Sequence, residues 1–196
     1  MREEPVPSIG EVRDSLDERW HKFLASCNSY ALLLPNDRTT AAALIQEFKP
    51  AAFVLTGGGN IQAVTDHRTN RDEIESLILN IARNESCPVI GICRGLQVLI
   101  ADDGVDLYRV SGHVKTNHSI HGEINRDKVN SFHEYGTQSS LRNYDVVARS
   151  TDGVVEMIRH RSLPWVGIGW HPEREAEFSP EDVELFRAVI HQQGKR

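Results

Sequence analysis

The chain has 196 residues, of which 39% are hydrophobic and 26% charged, with a formal net charge of −6. This length suits one domain with a hydrophobic core, and the composition is that of an ordinary globular protein. Negative charge without a basic cluster argues against nucleic-acid binding, and no apolar run approaches the roughly 20 residues of a membrane span. Three cysteines are too few for a disulfide framework, and no signal peptide is evident, so we expect a cytoplasmic protein.

Hydrophobic periodicity predicts helices and strands that alternate along most of the chain. Residues 1–10 are polar and carry two prolines, so we expect them to be loosely ordered. The predicted helices cover residues 14–26, 40–48, 71–84, 96–100 and 180–192, and the predicted strands cover 30–34, 51–55, 89–92, 153–160 and 165–170. This alternation predicts an α/β fold with a largely parallel sheet covered on both faces. Without a linker or repeat, residues 1–196 are assigned to a single domain.

A cysteine stands between two glycines directly after the predicted strand at residues 89–92. Helical periodicity begins at Leu96, so Cys93 lies at the turn of a strand–turn–helix unit. A nucleophile elbow has this layout, here with Cys in place of Ser. The helix N-terminus is expected to lower the pKa of the thiol. A lone cysteine is more often a small buried hydrophobe, but the Gly-x-Cys-x-Gly spacing favours a nucleophile.

A nucleophilic cysteine needs a base and a group that orients the base. The strand predicted at residues 165–170 is followed by His171, and Glu173 comes two residues later. Pro172 keeps the residue before it extended, so both side chains can lie on the same side. His171 would then take the Cys93 proton, and Glu173 would fix the tautomer of the imidazole. The alternative is a surface turn with a solvated glutamate.

A glycine-rich loop, Thr56-Gly57-Gly58-Gly59, follows the predicted strand at residues 51–55. Glycines let a backbone N–H approach a substrate oxygen closely. We therefore predict an oxyanion hole formed by the N–H of Gly58 and the N–H of Arg94. A plain turn is the alternative. A phosphate-binding P-loop would need Gly-Lys-Ser/Thr next, where this chain has Asn60-Ile61-Gln62.

Four blocks resemble the class I glutamine amidotransferase-like family, and within it the γ-glutamyl hydrolase (peptidase C26-like) branch. In chain order they are Thr56-Gly57-Gly58-Gly59, Gly91-Ile92-Cys93-Arg94-Gly95-Leu96-Gln97, Val129-Asn130-Ser131-Phe132-His133 and Trp170-His171-Pro172-Glu173. The resemblance runs from about residue 10 to the C-terminal helix. It implies a three-layer, flavodoxin-like α/β fold with a mostly parallel central sheet.

The resemblance also implies roles for individual residues. Cys93 is the nucleophile, His171 the general base and acid, and Glu173 its orienting partner. Gln97, with the backbone at Ser131 and Phe132, would hold the α-amino and α-carboxylate groups of a γ-glutamyl unit, and His133 lies in the same segment. The resemblance further suggests that Arg71, Asp72 and Glu75 belong to a helix near the acyl site, and that His113 and His118 face the cleft or a polar sheet surface.

Two departures from the family pattern stand out. Relatives usually begin with a β-strand ahead of the region matching residues 10–20, but nothing apolar precedes it here. We therefore expect the sheet to lack that strand. His133 is followed by Glu134-Tyr135 where many relatives carry a second His and a Gln, so the identity of the leaving group stays open.

Together these features predict a cysteine-dependent hydrolase that cleaves a γ-glutamyl amide through a γ-glutamyl thioester and releases glutamate. One alternative is a glutaminase subunit that delivers ammonia to a partner synthetase. Another is a hydrolase of γ-glutamyl nucleoside-diphosphate amides in capsule sugar modification. A third is a non-catalytic binding protein on the same fold, which the presence of Cys93, His171 and Glu173 disfavours.

No cofactor is predicted, organic or metallic. The chain has nine histidines, but neither a His-Glu-x-x-His motif nor a Cys/His finger spacing. The expected partner is a small γ-glutamyl substrate, with a synthetase as the possible protein partner.

Overall fold

The structure is a computed structural model, and it describes residues 1–191. The strands are β1 (Arg2–Val6), β2 (Glu11–Ser15), β3 (Phe53–Leu55), β4 (Val89–Ile92), β5 (Tyr108–Arg109), β6 (Val114–Gly122), β7 (Arg126–Phe132), β8 (Tyr135–Gly136), β9 (Tyr144–Ser150), β10 (Val155–His160) and β11 (Trp165–Ile168). The helices are α1 (Arg19–Ser26), α2 (Arg38–Phe48), α3 (Gln62–Thr65), α4 (Asn70–Glu85), α5 (Arg94–Asp102) and α6 (Pro180–Ile190), with a 3₁₀ turn at Pro172–Arg174.

Seven strands form the central sheet in the order β3-β4-β11-β10-β9-β6-β7. β4 pairs in parallel with β3 and β11, and three of the four blocks singled out in the sequence lie at or just after the ends of these strands. The fourth, residues 129–133, lies at the end of β7. The remaining neighbours pair antiparallel, and β1–β2 and β5–β8 form separate two-stranded sheets. The α/β class expected from the sequence is confirmed.

Helices cover both faces of the sheet, because strand residues alternate between two hydrophobic clusters. One cluster joins α1 and α6 to Ile90 and Ile92 of β4, and Phe23 meets Phe186 edge to face at 4.7 Å. The other joins α2, α4 and α5 to Val89 on the opposite side of β4. This three-layer arrangement buries β4 completely. It fixes the end of β4, where Cys93 follows.

The N-terminal part differs from the sequence prediction. The helix expected over residues 14–26 begins only at Arg19, and residues 11–15 form β2 of a hairpin with β1. Segment 1–10, which we expected to be loosely ordered, thus contributes a strand. The hairpin is anchored by Asp14, which accepts hydrogen bonds from the backbone N–H and side-chain amide of Asn36 at 2.9 and 2.5 Å. A strand of polar residues carries no alternation that a sequence pattern could reveal.

The strand predicted over residues 30–34 is wrong, because this apolar segment forms no strand. Tyr30 is 89% exposed, and Leu32 and Leu33 are 38% and 40% exposed. The segment borders a cleft of about 470 Å³ that Phe53 and Leu55 of β3 also line. Within residues 1–191, β3 has no strand partner besides β4, so the sheet ends there.

The other elements agree with the sequence within a few residues. The helices expected over 40–48, 71–84 and 96–100 are α2, α4 and α5, and the strands expected over 51–55, 89–92, 153–160 and 165–170 are β3, β4, β10 and β11. The last predicted helix is α6, which ends at Ile190, and residue 192 lies outside the described part. Across residues 1–191, no helix has the length and apolar character needed to cross a membrane.

Candidate active site

Cys93 occupies a strained turn between β4 and α5. Its φ and ψ are 51° and −97°, a backbone conformation that costs a non-glycine residue free energy and that is typical of a nucleophile elbow. The Cys93 N–H donates to the carbonyl oxygen of Ile168 on β11 at 2.8 Å. The flanking glycines are needed for space, since a Cβ on Gly95 would lie 2.2 Å from the carbonyl oxygen of Leu55.

The parallel strands β3, β4 and β11 end at nearly the same level. Leu55 lies opposite Gly91, and Ile168 lies opposite Ile92. The residues that follow these strands therefore meet at one edge of the sheet. This edge, at the carboxyl ends of parallel strands, is where α/β proteins place their ligand sites. It brings together the glycine-rich loop, the cysteine and the His171 segment.

His171 and Glu173 form a buried pair at this edge. His171 Nδ1 lies 2.7 Å from Glu173 Oε1, and the two residues are 1% and 2% exposed. The hydrogen bond to the carboxylate requires the proton on Nδ1 and leaves Nε2 as the base. This is the pairing that the sequence spacing predicted.

Asn130 on β7 holds the backbone of His171 from both sides. Its side-chain amide donates to the His171 carbonyl oxygen at 2.9 Å, and its Oδ1 accepts from the His171 N–H at 2.9 Å. The sequence analysis gives Asn130 no role, although Asn130 stands in the block Val129-Asn130-Ser131-Phe132-His133. Its hydrogen bonds to His171 join residues 41 positions apart, so no local spacing predicts them.

The pKa of Cys93 differs from the sequence expectation. Burial raises the pKa of its thiol to about 12, and the Arg174 guanidinium and the Arg94 backbone N–H oppose this shift without overcoming it. The helix N-terminus was expected to lower the pKa, but desolvation of the thiolate is the larger effect. Within residues 1–191, Cys93 Sγ and His171 form no direct hydrogen bond. With its pKa raised by burial, the thiol is protonated at neutral pH.

We expect this buried thiol to make the folded protein less stable in alkaline solution. The unfolded chain releases the proton near the ordinary thiol pKa of about 8.5, whereas the folded chain keeps it until about pH 12. The stabilisation is complete below the unfolded pKa and falls as pH rises, by up to about 1.4 kcal/mol per pH unit, because the unfolded state then binds fewer protons. The free energy of unfolding, measured with urea between about pH 8 and about pH 10, should therefore fall more steeply with pH for the wild type than for Cys93→Ala. An equal dependence on pH in the two proteins would contradict a raised pKa for the buried thiol.

Arg71, at the start of α4, holds the glycine-rich loop. It donates to the carbonyl oxygens of Gly57 at 3.3 Å and Gly58 at 2.8 Å, and also to that of Thr56. Because N–H and C=O point in opposite directions across a trans peptide, these bonds turn the N–H of Gly58 away from Arg71. The guanidinium is itself fixed by Glu75 at 2.9 Å. Arg71 thus orients the predicted oxyanion donor.

The Arg94 side chain is turned away from the site. It is buried against α4, where Nη2 lies 2.7 Å from Asp72 Oδ1 and Nη1 pairs with Glu75. The backbone N–H of Arg94 directly follows Cys93 and acts to lower the pKa of its thiol. This is the part of Arg94 that the sequence prediction assigned to the oxyanion hole.

Gly57 lies directly against the His171 ring, and this contact gives a second prediction. A Cβ on Gly57 would lie 2.3 Å from His171 Cε1, so Gly57→Ala must displace the imidazole. Since misplacing a catalytic group by about 1 Å costs on the order of 10²-fold in rate, we expect a loss of that size in kcat. Gly59→Ala is the matched variant: Gly59 has φ +73° but open space around its Cβ position. A Gly59→Ala loss as large as that of Gly57→Ala would overturn the steric explanation.

The four residues assigned to substrate binding differ in their exposure and in their hydrogen-bond partners. Gln97 donates from Nε2 to the carbonyl oxygen of Tyr135 at 2.9 Å. Ser131 is fully buried, with Oγ donating to the carbonyl oxygen of His113 at 2.8 Å, so only its backbone can face a ligand. Phe132 is 36% exposed, and its ring meets that of His171 edge on at 5.5 Å. His133 is buried against Glu156, at 3.3 Å, and is directed away from the cleft.

A polar cleft of about 250 Å³ opens beside the His171–Glu173 pair and Gly58. Two arginines border it: Arg2 of the hairpin and Arg174 of the 3₁₀ turn. Arg174 stacks over the Phe132 ring with its guanidinium carbon 4.3 Å from the ring centroid. The carboxylates of Glu4, Asp17 and Glu173 line the same cleft, and Arg2 Nη2 lies 3.3 Å from Glu4 Oε1. Both signs of charge therefore lie beside His171.

The sequence prediction missed a further group of residues. The side chains of His113, His118, His133 and Glu156 converge, and their geometry could hold a metal ion. No local spacing signals this group, because His118 and Glu156 lie on β6 and β10, whereas His113 precedes β6 and His133 follows β7.

Comparison with known proteins agrees with this geometry. The family model described as glutamine amidotransferase class-I matches residues 9–192. The chain is 28% identical to the gamma-glutamyl-gamma-aminobutyrate hydrolase PuuD of Escherichia coli, over an alignment that covers 92% of this chain and 87% of that enzyme.

Two further proteins are similar to this chain. The chain is 25% identical to the gamma-glutamyl-CDP-amidate hydrolase of Campylobacter jejuni over 126 residues, 63% of this chain and 62% of that enzyme, so it spans less than two thirds of that relative. Among solved structures, a putative GMP synthase subunit from Thermoplasma acidophilum matches with a TM-score of 0.67 at 18% identity, over 88% of this chain and 85% of that one. At this identity the match supports the fold alone.

Proposed function

Because the chain belongs to the class I glutamine amidotransferase family, whose model matches residues 9–192, we propose that it is a cysteine-dependent hydrolase of γ-glutamyl amides. The observation that carries the proposal is Cys93 in the strained elbow at the end of β4, beside the buried His171–Glu173 pair that follows β11. A nucleophile, a base and the base's orienting carboxylate are the parts that acyl transfer requires.

In the first step, the Cys93 sulfur attacks the γ-carbonyl carbon while Nε2 of His171 takes the thiol proton. The carbonyl oxygen gains negative charge and accepts hydrogen bonds from the N–H groups of Gly58 and Arg94. The C–N bond then breaks as His171 returns its proton to the leaving amine. The product is a γ-glutamyl thioester on Cys93.

In the second step, a water molecule attacks the thioester. His171 takes a proton from the water, the carbon–sulfur bond breaks, and the proton returns to the Cys93 sulfur as glutamate leaves. Glu173 carries no proton in either step; it stabilises the imidazolium and keeps the ring oriented. The thiol pKa, raised to about 12, returns the cysteine to its neutral form between turnovers.

The γ-glutamyl unit would be recognised by its charged end. Gln97 and the backbone at Ser131 and Phe132 hold the α-amino and α-carboxylate groups, as the family resemblance implies. The guanidinium of Arg174 adds a positive charge at the mouth of the cleft, where it also opposes the raised pKa of Cys93. The leaving amine would extend along the cleft beside Arg2.

Two other activities use the same catalytic residues. A glutaminase subunit would release ammonia for a partner synthetase, as the relative named carbamoyl phosphate synthase small chain of Chlorobaculum tepidum suggests; it is 28% identical over 70% of this chain and 38% of that one. A hydrolase of γ-glutamyl nucleoside-diphosphate amides is suggested by the Campylobacter jejuni relative. The stand-alone γ-glutamyl hydrolase is preferred because PuuD aligns over 92% of this chain.

The deciding experiment measures glutamate release by the purified chain alone. The substrates are L-glutamine, γ-glutamyl-γ-aminobutyrate and a γ-glutamyl amide of a cytidine diphosphate. Faster release from a γ-glutamyl amide than from glutamine would support the hydrolase and identify its leaving group. Release from none of the three would overturn the stand-alone activity, and release from glutamine only after a synthetase is added would establish the role of a glutaminase subunit.

A further inference from the structure

Three histidines and one glutamate meet in the protein interior, close to the catalytic pair. They are His113 just before β6, His118 on β6, His133 just after β7 and Glu156 on β10, and their potential ligand atoms all lie within 4.8 Å of one another. Glu156 is fully buried, and His113 and His133 are 2% and 6% exposed. Their polar atoms are therefore largely shielded from water and need partners within the protein.

The carboxylate oxygen Oε1 of Glu156 is close to one nitrogen of each histidine. The distances are 3.2 Å to His113 Nδ1, 3.3 Å to His118 Nε2 and 3.3 Å to His133 Nε2. Four ligands placed tetrahedrally around a zinc ion, with bonds of roughly 2.0–2.1 Å, lie about 3.3 Å from one another. The three spacings from Glu156 thus match three of the six edges of a zinc coordination tetrahedron, and the histidine nitrogens lie within 4.8 Å of one another.

Hydrogen bonding alone does not account for these contacts. His113 Nδ1 and His118 Nε2 are buried and have no hydrogen-bond partner among residues 1–191, although each lies within 3.3 Å of Glu156 Oε1. The atoms are close enough but not aligned for donation. Since unpaired buried polar atoms are costly and rare, two of them within 3.3 Å of the same carboxylate oxygen suit the binding of a cation.

The outer nitrogen of each ring has an oxygen acceptor. His113 Nε2 lies 3.1 Å from Asp152 Oδ2, and His133 Nδ1 lies 3.1 Å from the Tyr135 carbonyl oxygen. His118 Nδ1 lies 3.3 Å from the carbonyl oxygen of Ser119. An N–H that donates outward leaves the lone pair of the other nitrogen facing inward. This outer shell of acceptors is typical of metal-binding histidines.

We propose that His113, His118, His133 and Glu156 form a zinc site. Four protein ligands close the tetrahedron, as in zinc sites that support structure and leave no position for water or substrate. Three histidine nitrogens and a carboxylate oxygen are ligands that zinc accepts. The His118 side chain, 13% exposed, gives the ion a path from solvent.

The zinc would stabilise the segment that leads from Gly169 to His171. Gly169 lies against the cluster, because a Cβ there would be 2.0 Å from Glu156 Oε2, and its N–H donates to the Glu156 carbonyl oxygen at 2.8 Å. His171 follows two residues later. The ion would join β6, the end of β7 and β10 at this point. The proposal does not depend on the proposed activity, because its test measures metal.

The test uses tag-free full-length protein, stripped with a chelator and then dialysed against zinc. We expect about one zinc per chain by elemental mass spectrometry, and we expect cobalt(II) to give the strong visible absorption of a tetrahedral site. His118→Gln should weaken zinc binding more than about 10-fold, since even the loss of an outer-shell partner costs 10–100-fold. His121→Gln, an exposed histidine on the same strand, should bind zinc as the wild type does.

Each outcome decides the proposal. Wild-type protein that retains no zinc and shows no cobalt absorption would overturn it, and so would equal zinc binding by His118→Gln. If His118→Gln does not fold, the cobalt titration of the wild type decides alone. A lower melting temperature of the zinc-loaded protein after a chelator is added would support the structural role.

Discussion

Replacement of Cys93 by alanine is expected to abolish glutamate release from γ-glutamyl amides, with a loss of about 10⁴-fold or more in kcat. No thioester can form without the sulfur, and losses of this order follow removal of a catalytic nucleophile. The fold should persist, because Cys93 is neutral in its buried position and alanine removes a single atom from a well-packed turn. Steady-state assays and circular dichroism measure the two effects.

Cys87→Ala is the matched control. Cys87 precedes β4 in the chain, as Cys93 follows it, but its sulfur lies 3.8 and 3.7 Å from the carbonyl oxygens of Pro50 and Ala51, at the opposite end of the strand. This variant should keep wild-type activity. An active Cys93→Ala enzyme, or an equal loss in both variants, would remove Cys93 from the nucleophile's role.

The positions of the proposed catalytic residues could be predicted because their signals are local. A cysteine between glycines after an apolar strand fixes an elbow within a few residues, and His171 and Glu173 are two residues apart. Parallel pairing then brings both segments to one edge without further information from the sequence. The pKa of Cys93 could not be predicted in this way, since it depends on burial by residues from the whole chain.

The features that were missed depend on contacts distant in sequence. Arg71 holds the glycine-rich loop from 13 to 15 residues away, and Asn130 holds His171 from 41 residues away. The segment 30–34 has a strand's composition, but a strand also requires a neighbouring edge with which to pair. The histidine cluster is invisible to motif searches, because its ligands are assembled by the order β10-β9-β6-β7.

Glu173→Gln should reduce kcat by on the order of 10³-fold while KM changes little. The amide keeps the size of the side chain, but it can no longer stabilise the imidazolium that forms when His171 takes the Cys93 proton. It can also donate to Nδ1 and so favour the tautomer with its proton on Nε2, which cannot act as a base. The equivalent carboxylate-to-amide change in a serine protease costs about 10⁴-fold.

Glu177→Gln tests whether this loss belongs to the catalytic pair. Glu177 is exposed beyond the 3₁₀ turn, so the same change in charge there should leave kcat unaltered. The separation of kcat from KM matters because Glu173 touches His171 at 2.7 Å and would act on the proton transfers. A Glu173→Gln enzyme with an unchanged kcat and a raised KM would instead assign this carboxylate to substrate binding. The base would then need another partner, and within residues 1–191 the His171 ring has no other carboxylate at hydrogen-bonding distance.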